Sequence, residues 1–349
     1  MKPSRQSLAL CFLCLLCVPA SLFSQSLDIQ KVADGVYAAI PKPGRIVGAN
    51  AAFIVDRGEV LVVDTHYRPS AARELIAEIK KITPLPVRYV VNTHWHNDHV
   101  QGNQAYVGAF GPNVEYISQH LTRQDMMGKA LPGIKDQLNN LPRDITAAES
   151  RLASGKGEQG ETLSEEQRQQ LSQRIADLKS YLEELQAIQP TLPTLTFERS
   201  LVLHRPSRDI YVLYYGKGHT RGDVVVFLPK EKVVVTGDLL TNGIPFMRDA
   251  YPVEWVEALG SVERLDFATA IPGHGPVQQG KKQLSRLISF LADAVAAVKD
   301  AVAKGQSLDD AKKSVDLARY QADFPNFKNG APATVERTYL EVTGKIPEQ

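Results

Sequence analysis

The stretch VVNTHWHNDHVQGN, residues 90–103, places His94, His96, Asp98 and His99 within six positions of a chain that has eight histidines among 349 residues. The run before it, PVRYVV (86–91), reads as a buried strand, and the chain after it reads as turning helical. In an extended strand tail, side chains two apart point the same way, so His94 and His96 share a direction. Asp98 and His99 lie past the turn and aim at a second point. That spacing suits two metal ions about 3.5–4 Å apart, each still short of ligands. The reading therefore expects further histidines or carboxylates at other strand ends.

They are present. In YYGKGHTRGD (214–223), His219 follows a strand and is preceded by Gly216 and Gly218, which give the backbone room to turn. VVVTGDLL (233–240) runs through Gly237 and Asp238, and AIPGHGP (270–276) sets His274 between glycines. His66, His120 and His204 lack this glycine-flanked setting, although His66 also ends a strand.

Working outward, the first half alternates strand and helix signals. GVYAAI (35–40) reads as a strand, and NAAFIVDRGEVLVVDTH (50–66) as two strands joined by a tight turn at Arg57-Gly58. Pro69 opens a helix, PSAARELIAEIKKI, with Leu75, Ile76 and Ile79 on one face, and NVEYISQH (113–120) is a further strand. The second half repeats the texture. Strands are expected at 208–220, 223–229, 232–240 and 267–276, with helices at 252–265 and 281–304. Strands followed by helices in each half suggest two sheets packed face to face and covered by helices.

Residues 121–192 interrupt the pattern. Leu171, Ile175, Leu178, Leu182, Leu185 and Ile188 make a helical seam, and Ser164 with Gln167 forms a capping box at its start. A shorter helix is expected around 143–153, with SGKGEQG (154–160) linking the two. The segment reads as an inserted helical hairpin, a packing or homodimerisation element more than a lid.

Taken in order, THWHNDH, GHTRGD, TGD and PGHGP resemble the metallo-β-lactamase superfamily of metallohydrolases over nearly the whole chain outside 121–192. The resemblance implies the α/β fold known as the αββα sandwich, two mixed sheets with outer helices. It implies His94, His96 and His219 as ligands of one metal and Asp98, His99 and His274 as ligands of the other, with Asp238 bridging both. Asp64 matches an aspartate that orients ligands by hydrogen bonding. Donors without thiolate suit two Zn²⁺, and iron or manganese fit the same set. Two such ions would share a water and lower its pKa, with Asp98 as the catalytic proton relay.

The N-terminus carries Lys2 and Arg5 ahead of the apolar run LALCFLCLLCV (8–18) and then PASLFSQS, the layout of a signal peptide over 1–24. The metallo-β-lactamase-like domain would then span 25–349, and the location would be periplasmic or secreted, with no membrane attachment after cleavage. All three cysteines, Cys11, Cys14 and Cys17, fall inside that leader, so the mature chain would have no thiolate ligand or nucleophile. Removing Lys2 and Arg5 and no acid takes the net charge from +1 to −1, which argues against nucleic acid as a partner.

The substrate is expected to be a small molecule with an ester-, lactone-, thioester- or amide-type bond. β-Lactams stay among the candidates because of the export signal. The absence of a cysteine excludes the β-lactamases that ligate through one, and Asp238 departs from those that lack a bridging carboxylate. A mononuclear iron sulfur dioxygenase is the redox alternative. PKPGRIVGAN (41–50) could form a flap with Arg45 reaching an anionic substrate, and TNGIPF (241–246) with Asn242 could line the pocket. Tyr67 and Arg68 read as a solvated loop, and Trp95 as packing that points away from the metals.

Overall fold

In a computed structural model of the protein, residues 26–43 and 47–346 are described. The leader and Arg45 lie outside the described residues. Two mixed sheets stack face to face. The first runs in sequence order: β1 (Leu27–Ala33), β2 (Val36–Pro41), β3 (Ala51–Asp56), β4 (Glu59–Val63), β5 (Val87–Val91), β6 (Glu115–Gln119) and β7 (Leu195–Phe197). β1 to β4 pair antiparallel, and β4 to β7 pair parallel. The second contains β8 (Ser200–His204), β9 (Asp209–Tyr214), β10 (Val224–Leu228), β11 (Val233–Thr241), β12 (Thr269–His274) and β13 (Gln278–Gln279), in the spatial order 13-12-11-10-9-8.

The helices follow from where the sheets leave apolar faces open. They are α1 (Pro69–Ile82), α2 (Asn97–Val100), α3 (Gln104–Phe110), α4 (His120–Asp125), α5 (Leu131–Ser154), α6 (Glu165–Gln186), α7 (Pro252–Glu263), α8 (Lys282–Ala303), α9 (Leu308–Ser314) and α10 (Phe327–Val342). Side chains alternate across each strand, so both faces of the central strands must be covered. Ile54, Leu61, Val63 and Val91 face inward and meet Val212, Val226, Val235 and Ile271 of the other sheet. Phe53, Val60, Val62 and Val90 face outward onto Leu75, Ile76 and Ile79 of α1. Val225, Phe227 and Val234 pack on Trp255, Leu259, Leu287, Phe290 and Leu291 of α7 and α8. The αββα sandwich expected from the strand and helix pattern is the architecture observed.

The insertion is helical and longer than expected. A π-helical turn, Met126–Ala130, joins α4 to α5, and α5 begins twelve residues before the expected 143, with Pro142 inside it. The capping box at Ser164 forms, with Gln167 N donating to Ser164 Oγ at 3.2 Å and Ser164 N donating to Gln167 Oε1 at 2.8 Å. The seam of α6 packs inside the hairpin: Ile175, Tyr181 and Leu185 are buried with Leu141, Ile145 and Ala148 of α5. That face is therefore used within the chain, and a dimer would have to form on another surface.

Tyr67 and Arg68 correct the solvated-loop expectation. Tyr67 stacks on Tyr181 with ring centroids 4.8 Å apart, and Tyr181 Oη donates to Gln101 Oε1 at 3.0 Å. Arg68 pairs with Glu184, which also accepts from Ser70 N at 2.7 Å and so caps α1. The hairpin is tied to the loops that follow β4 and α2. Among the described residues no helix is long and apolar enough to cross a membrane.

Candidate metal centre

The site forms where strand ends of both sheets meet. β4 ends just before Asp64, whose φ of +59° turns the chain sharply, and β5 ends just before Asn92. Asp64 accepts from Thr93 N at 2.8 Å and from Thr93 Oγ1 at 2.7 Å. Its Oδ2 also accepts from His99 Nδ1 at 2.7 Å. His96 opens α2, whose single turn brings His99 back under the loop, and Thr65 N donates to His99 O at 2.8 Å. Asn92 and Asn103 exchange side-chain hydrogen bonds of 3.0 and 2.9 Å beneath this turn. A Cβ on Gly102 would sit 1.9 Å from Thr65 O, so only glycine fits there.

The second sheet supplies the other donors. Asp223 accepts from Thr220 N at 2.7 Å and Thr220 Oγ1 at 2.8 Å, fixing the loop that presents His219. Asp238 lies in β11 beside Gly273 of β12, where a Cβ would meet Asp238 Oδ1 at 1.9 Å. His274 ends β12.

All seven expected side chains come together. His94, His96, His219 and Asp238 form one group, and Asp98, His99 and His274 another; each group's donor atoms lie within 4.8 Å of one another. Asp238 faces both: Oδ2 is 3.6 Å from His219 Nε2, while Oδ1 is 3.4 Å from both His99 Nε2 and His274 Nε2. Asp98 Oδ2 is 3.2 Å from His274 Nε2 and 3.8 Å from His99 Nε2. Ligands of a tetrahedral zinc bound at about 2.1 Å stand about 3.4 Å apart.

The fit to a cation has an independent sign. His94 Nε2, His99 Nε2, His219 Nε2 and Asp238 Oδ1 are buried and have no hydrogen-bond partner. Buried polar atoms are costly when unpaired, so four of them turned toward two adjacent points mark places for cations. One ring nitrogen each of His94, His96 and His99 is engaged, whereas His219 Nδ1 has no hydrogen-bond partner either. His99 Nδ1 donates to Asp64, His96 Nε2 to Asp249 Oδ2 at 3.0 Å, and His94 Nδ1 lies 3.1 Å from Thr93 Oγ1. Such partners fix the tautomer and leave the other nitrogen for a ligand bond.

Charge points the same way. Burial lowers the pKa of His94 well below the usual imidazole value, and the neighbouring His99, His96 and His219 lower it further. Burial also opposes a charge on His274, but Asp238 and Asp98 outweigh it and raise the ring to about 10. Asp98 resists ionisation through burial, yet His99 and His274 hold it at about 2. A field that gathers protons onto imidazoles beside carboxylates also favours cations there.

The centre opens into a cleft of about 280 Å³ lined by Trp95, His96, Asn97, Asp98, Asp238, Phe246, Arg248 and His274. Trp95 is buried against Val100, Met126 and Ala130, as its packing role implied, but it also lines the cleft beside His96 and so does not point clear of the centre. Asn242 is exposed, its N–H donating to His274 O at 3.0 Å, and it is not among the cleft-lining residues. Sequence reasoning missed Asp249 and Arg248, while Phe246 closes the TNGIPF stretch expected to line the pocket and does line the cleft. Asp249 sits 153 positions from its partner His96, with no local signature to mark it.

Fold and centre together define a metal-site protein of the αββα sandwich class. The model of the metallo-β-lactamase superfamily matches residues 44–274. The chain belongs to that superfamily, whose members are metal-dependent hydrolases. It is 22% identical over 296 residues to a linear primary-alkylsulfatase of Pseudomonas sp. (strain ATCC 19151), a match covering 81% of this chain and 53% of that protein. It is 32% identical over 73 residues to a metallo-β-lactamase type 2 of Elizabethkingia meningoseptica, covering 20% of this chain and 29% of that one. The chain thus spans about half the length, or less, of these curated relatives. Its fold is similar to a metallo-β-lactamase from Pontibacter korlensis, at 20% identity and TM-score 0.54 over 76% of this chain and 99% of that one. It is also similar to DIM-1 metallo-β-lactamase, at 19% identity and TM-score 0.51 over 77% and 98%. At these identities the structural likeness is one of fold.

Proposed function

We propose that the chain is a dinuclear metal-dependent hydrolase, exported to the periplasm or beyond, acting on an ester-, lactone-, thioester- or amide-type bond. The reading is carried by the four unpartnered buried donor atoms, which turn from both sheets toward two neighbouring points. His94, His96 and His219 would hold one divalent ion, Asp98, His99 and His274 the other, and Asp238 both. Zinc fits this nitrogen and carboxylate set. When bound, such a pair lowers the pKa of a shared water and polarises a substrate oxygen.

The chain's own residues do the rest. Asp64, Thr93 and Asp249 hold His99, His94 and His96 in their ring orientations, so no reorganisation is needed when substrate arrives. Asp98 is more open to the cleft than Asp238 and sits 3.2 Å from His274 Nε2. It is the group placed to take a proton from the attacking water and pass it to the leaving atom. Trp95 and Phe246 flank the reacting end and limit water there. The names of the relatives add sulfate esters to the bond classes to be tried and support keeping β-lactams among them.

The test is a hydrolysis screen of the mature protein on carboxylic esters, lactones, thioesters, sulfate esters and β-lactams, with metal analysis of protein purified without added metal. Turnover of at least one class, abolished by His96→Ala, is expected. One iron per chain with oxygen uptake on a persulfide and no hydrolysis would replace this reading with the dioxygenase alternative.

A further inference from the structure

His219 differs from its neighbours in how it is held. His94, His96 and His99 each set one ring nitrogen against a nearby oxygen, whereas His219 Nδ1 has no partner and stands 4.0 Å from Asp223 Oδ1. Trp255 packs beside its ring, with centroids 5.8 Å apart. The direction of this imidazole therefore depends on the loop that carries it. Asp223 ties that loop from within, at Thr220.

From outside, α4 grips the same loop. Thr122 Oγ1 donates to Gly222 O at 2.7 Å, and a Cβ on Gly222 would meet Thr122 N at 2.7 Å, so helix and loop touch backbone to backbone. Asp125, the last residue of α4, is buried and takes both arms of Arg221. Arg221 Nε donates to Oδ2 at 2.9 Å, and Nη2 lies 2.9 Å from Oδ1. Arg221 follows His219 by two residues, and its carbonyl accepts from Tyr214 Oη at 3.0 Å. Asp125 Oδ1 also pairs with Lys129 at 3.2 Å. Lys129 belongs to the π-helical turn, a form that is rare and concentrates at functional sites. Its Nζ is 5.2 Å from the centre of the Trp95 ring, and that ring stands edge-on to His96 with centroids 4.5 Å apart.

One carboxylate therefore reaches toward two ligand candidates, to His219 through Arg221 and to His96 through Lys129 and Trp95. A buried carboxylate is costly unless it is paired, and a guanidinium fork fixes angle as well as distance. The chemistry above gives Asp125 no task. We propose that Asp125 is a positioning residue of the centre: it holds the His219 loop through the Arg221 fork and thereby sets the affinity for the ion that His94, His96 and His219 would bind. The proposal rests on the hydrolase reading in that it assigns His219 to one of two ions. It gives α4 and the π-helical turn, which lead into the helical insertion, a part in the centre.

The test is zinc titration of the mature chain, stripped of metal, against a competing chromophoric chelator that resolves each affinity. Asp125→Asn keeps the shape and turns one acceptor into a donor facing the fork. It should weaken one zinc about tenfold and the other by less than about twofold. Arg221→Gln should do the same, and it reads the contact if Asp125→Asn does not fold. Arg221→Lys should weaken that zinc about threefold, because lysine keeps the charge and loses the fork. His219→Ala identifies the site: in that background Asp125→Asn should change the remaining affinity by less than about twofold. Equal weakening of both ions, no weakening, or a further loss in the His219→Ala background would overturn the clamp. Turnover by the wild type with zinc affinities unmoved in the variants would sink the clamp and keep the hydrolase reading. A selective loss in a protein that hydrolyses nothing would do the reverse.

Discussion

The two sheets contribute to the centre in different ways. The first sheet gives four donors from one six-residue stretch, set in a closed hydrogen-bonded bed of Asp64, Thr65, Asn92, Thr93 and Asn103. The second gives three donors from three separate places, His219 on the β9–β10 loop, Asp238 within β11 and His274 at the end of β12, and the loop that follows β11, 242–251, is pinned from outside by α10. His99 is fully buried, whereas His274 has 41% of its side chain exposed. The difference separates two tasks. One half is a rigid floor that fixes ligand geometry. The other is a wall that lines the cleft and is tied back to the floor through Asp249 and His96.

The largest effect expected from breaking this division is at the joint itself. Gly273→Ala would push a methyl group into Asp238 Oδ1, the atom turned toward the second group of ligands. Bound metal should fall to about a tenth of wild type or less, read by elemental analysis after dialysis. A full complement of metal would show that Asp238 is not needed as a bridge.

Asp64→Asn and Asp249→Asn sharpen the comparison, because each removes a carboxylate partner from one histidine. Both should weaken zinc by roughly 10–100-fold in chelator competition. Asp64 is buried and accepts three hydrogen bonds, so its variant should also lose about 2–3 kcal/mol of folding stability in urea. Asp249 stands at the edge of the cleft, and its variant should stay within about 1 kcal/mol of wild type. Equal losses of stability would contradict the distinction between floor and wall.

The last expected effect is a pH dependence in the floor. Burial depresses the pKa of His66 to about 4, and Nδ1 lies 2.8 Å from Ala49 O. The unfolded chain protonates this ring near its ordinary value of 6.5, so between about 6.5 and 4 the unfolded state binds more protons. Stability is therefore fully present above 6.5 and is lost as pH falls through 4, by about 3 kcal/mol. Asparagine tolerates the left-handed φ of +66° at this position. The gap in urea midpoint between pH 7.5 and pH 4.5 should be narrower in His66→Asn than in wild type. The same gap in both proteins would mean that other groups set the acid limit.

Much of the molecule could be read locally. The turn at Arg57-Gly58 is observed between Asp56 and Glu59, which pair across it, and the α1 face carrying Leu75, Ile76 and Ile79 is buried as its spacing implied. The strands β1, β7 and β8 were not read, being short or half-exposed and lacking a strong apolar run. α10 escaped because Asn329-Gly330 and Pro332 look like a turn, although Gly330 serves a close contact and the helix absorbs the proline. The first half of α5 was hidden by Pro132, Gly133 and Pro142.

The sequence by itself determined the sandwich, the seven candidate ligands and the expectation of a metal, because periodicity and glycine-flanked strand ends act over a few residues. Only the tertiary structure decided which groups orient those ligands, that the hairpin braces the loops beside the centre, and that Phe246 and Arg248 form its outer wall. Those relations join residues that are far apart in the chain, such as His96 and Asp249, and hydrogen-bond geometry across that distance leaves no local pattern to read.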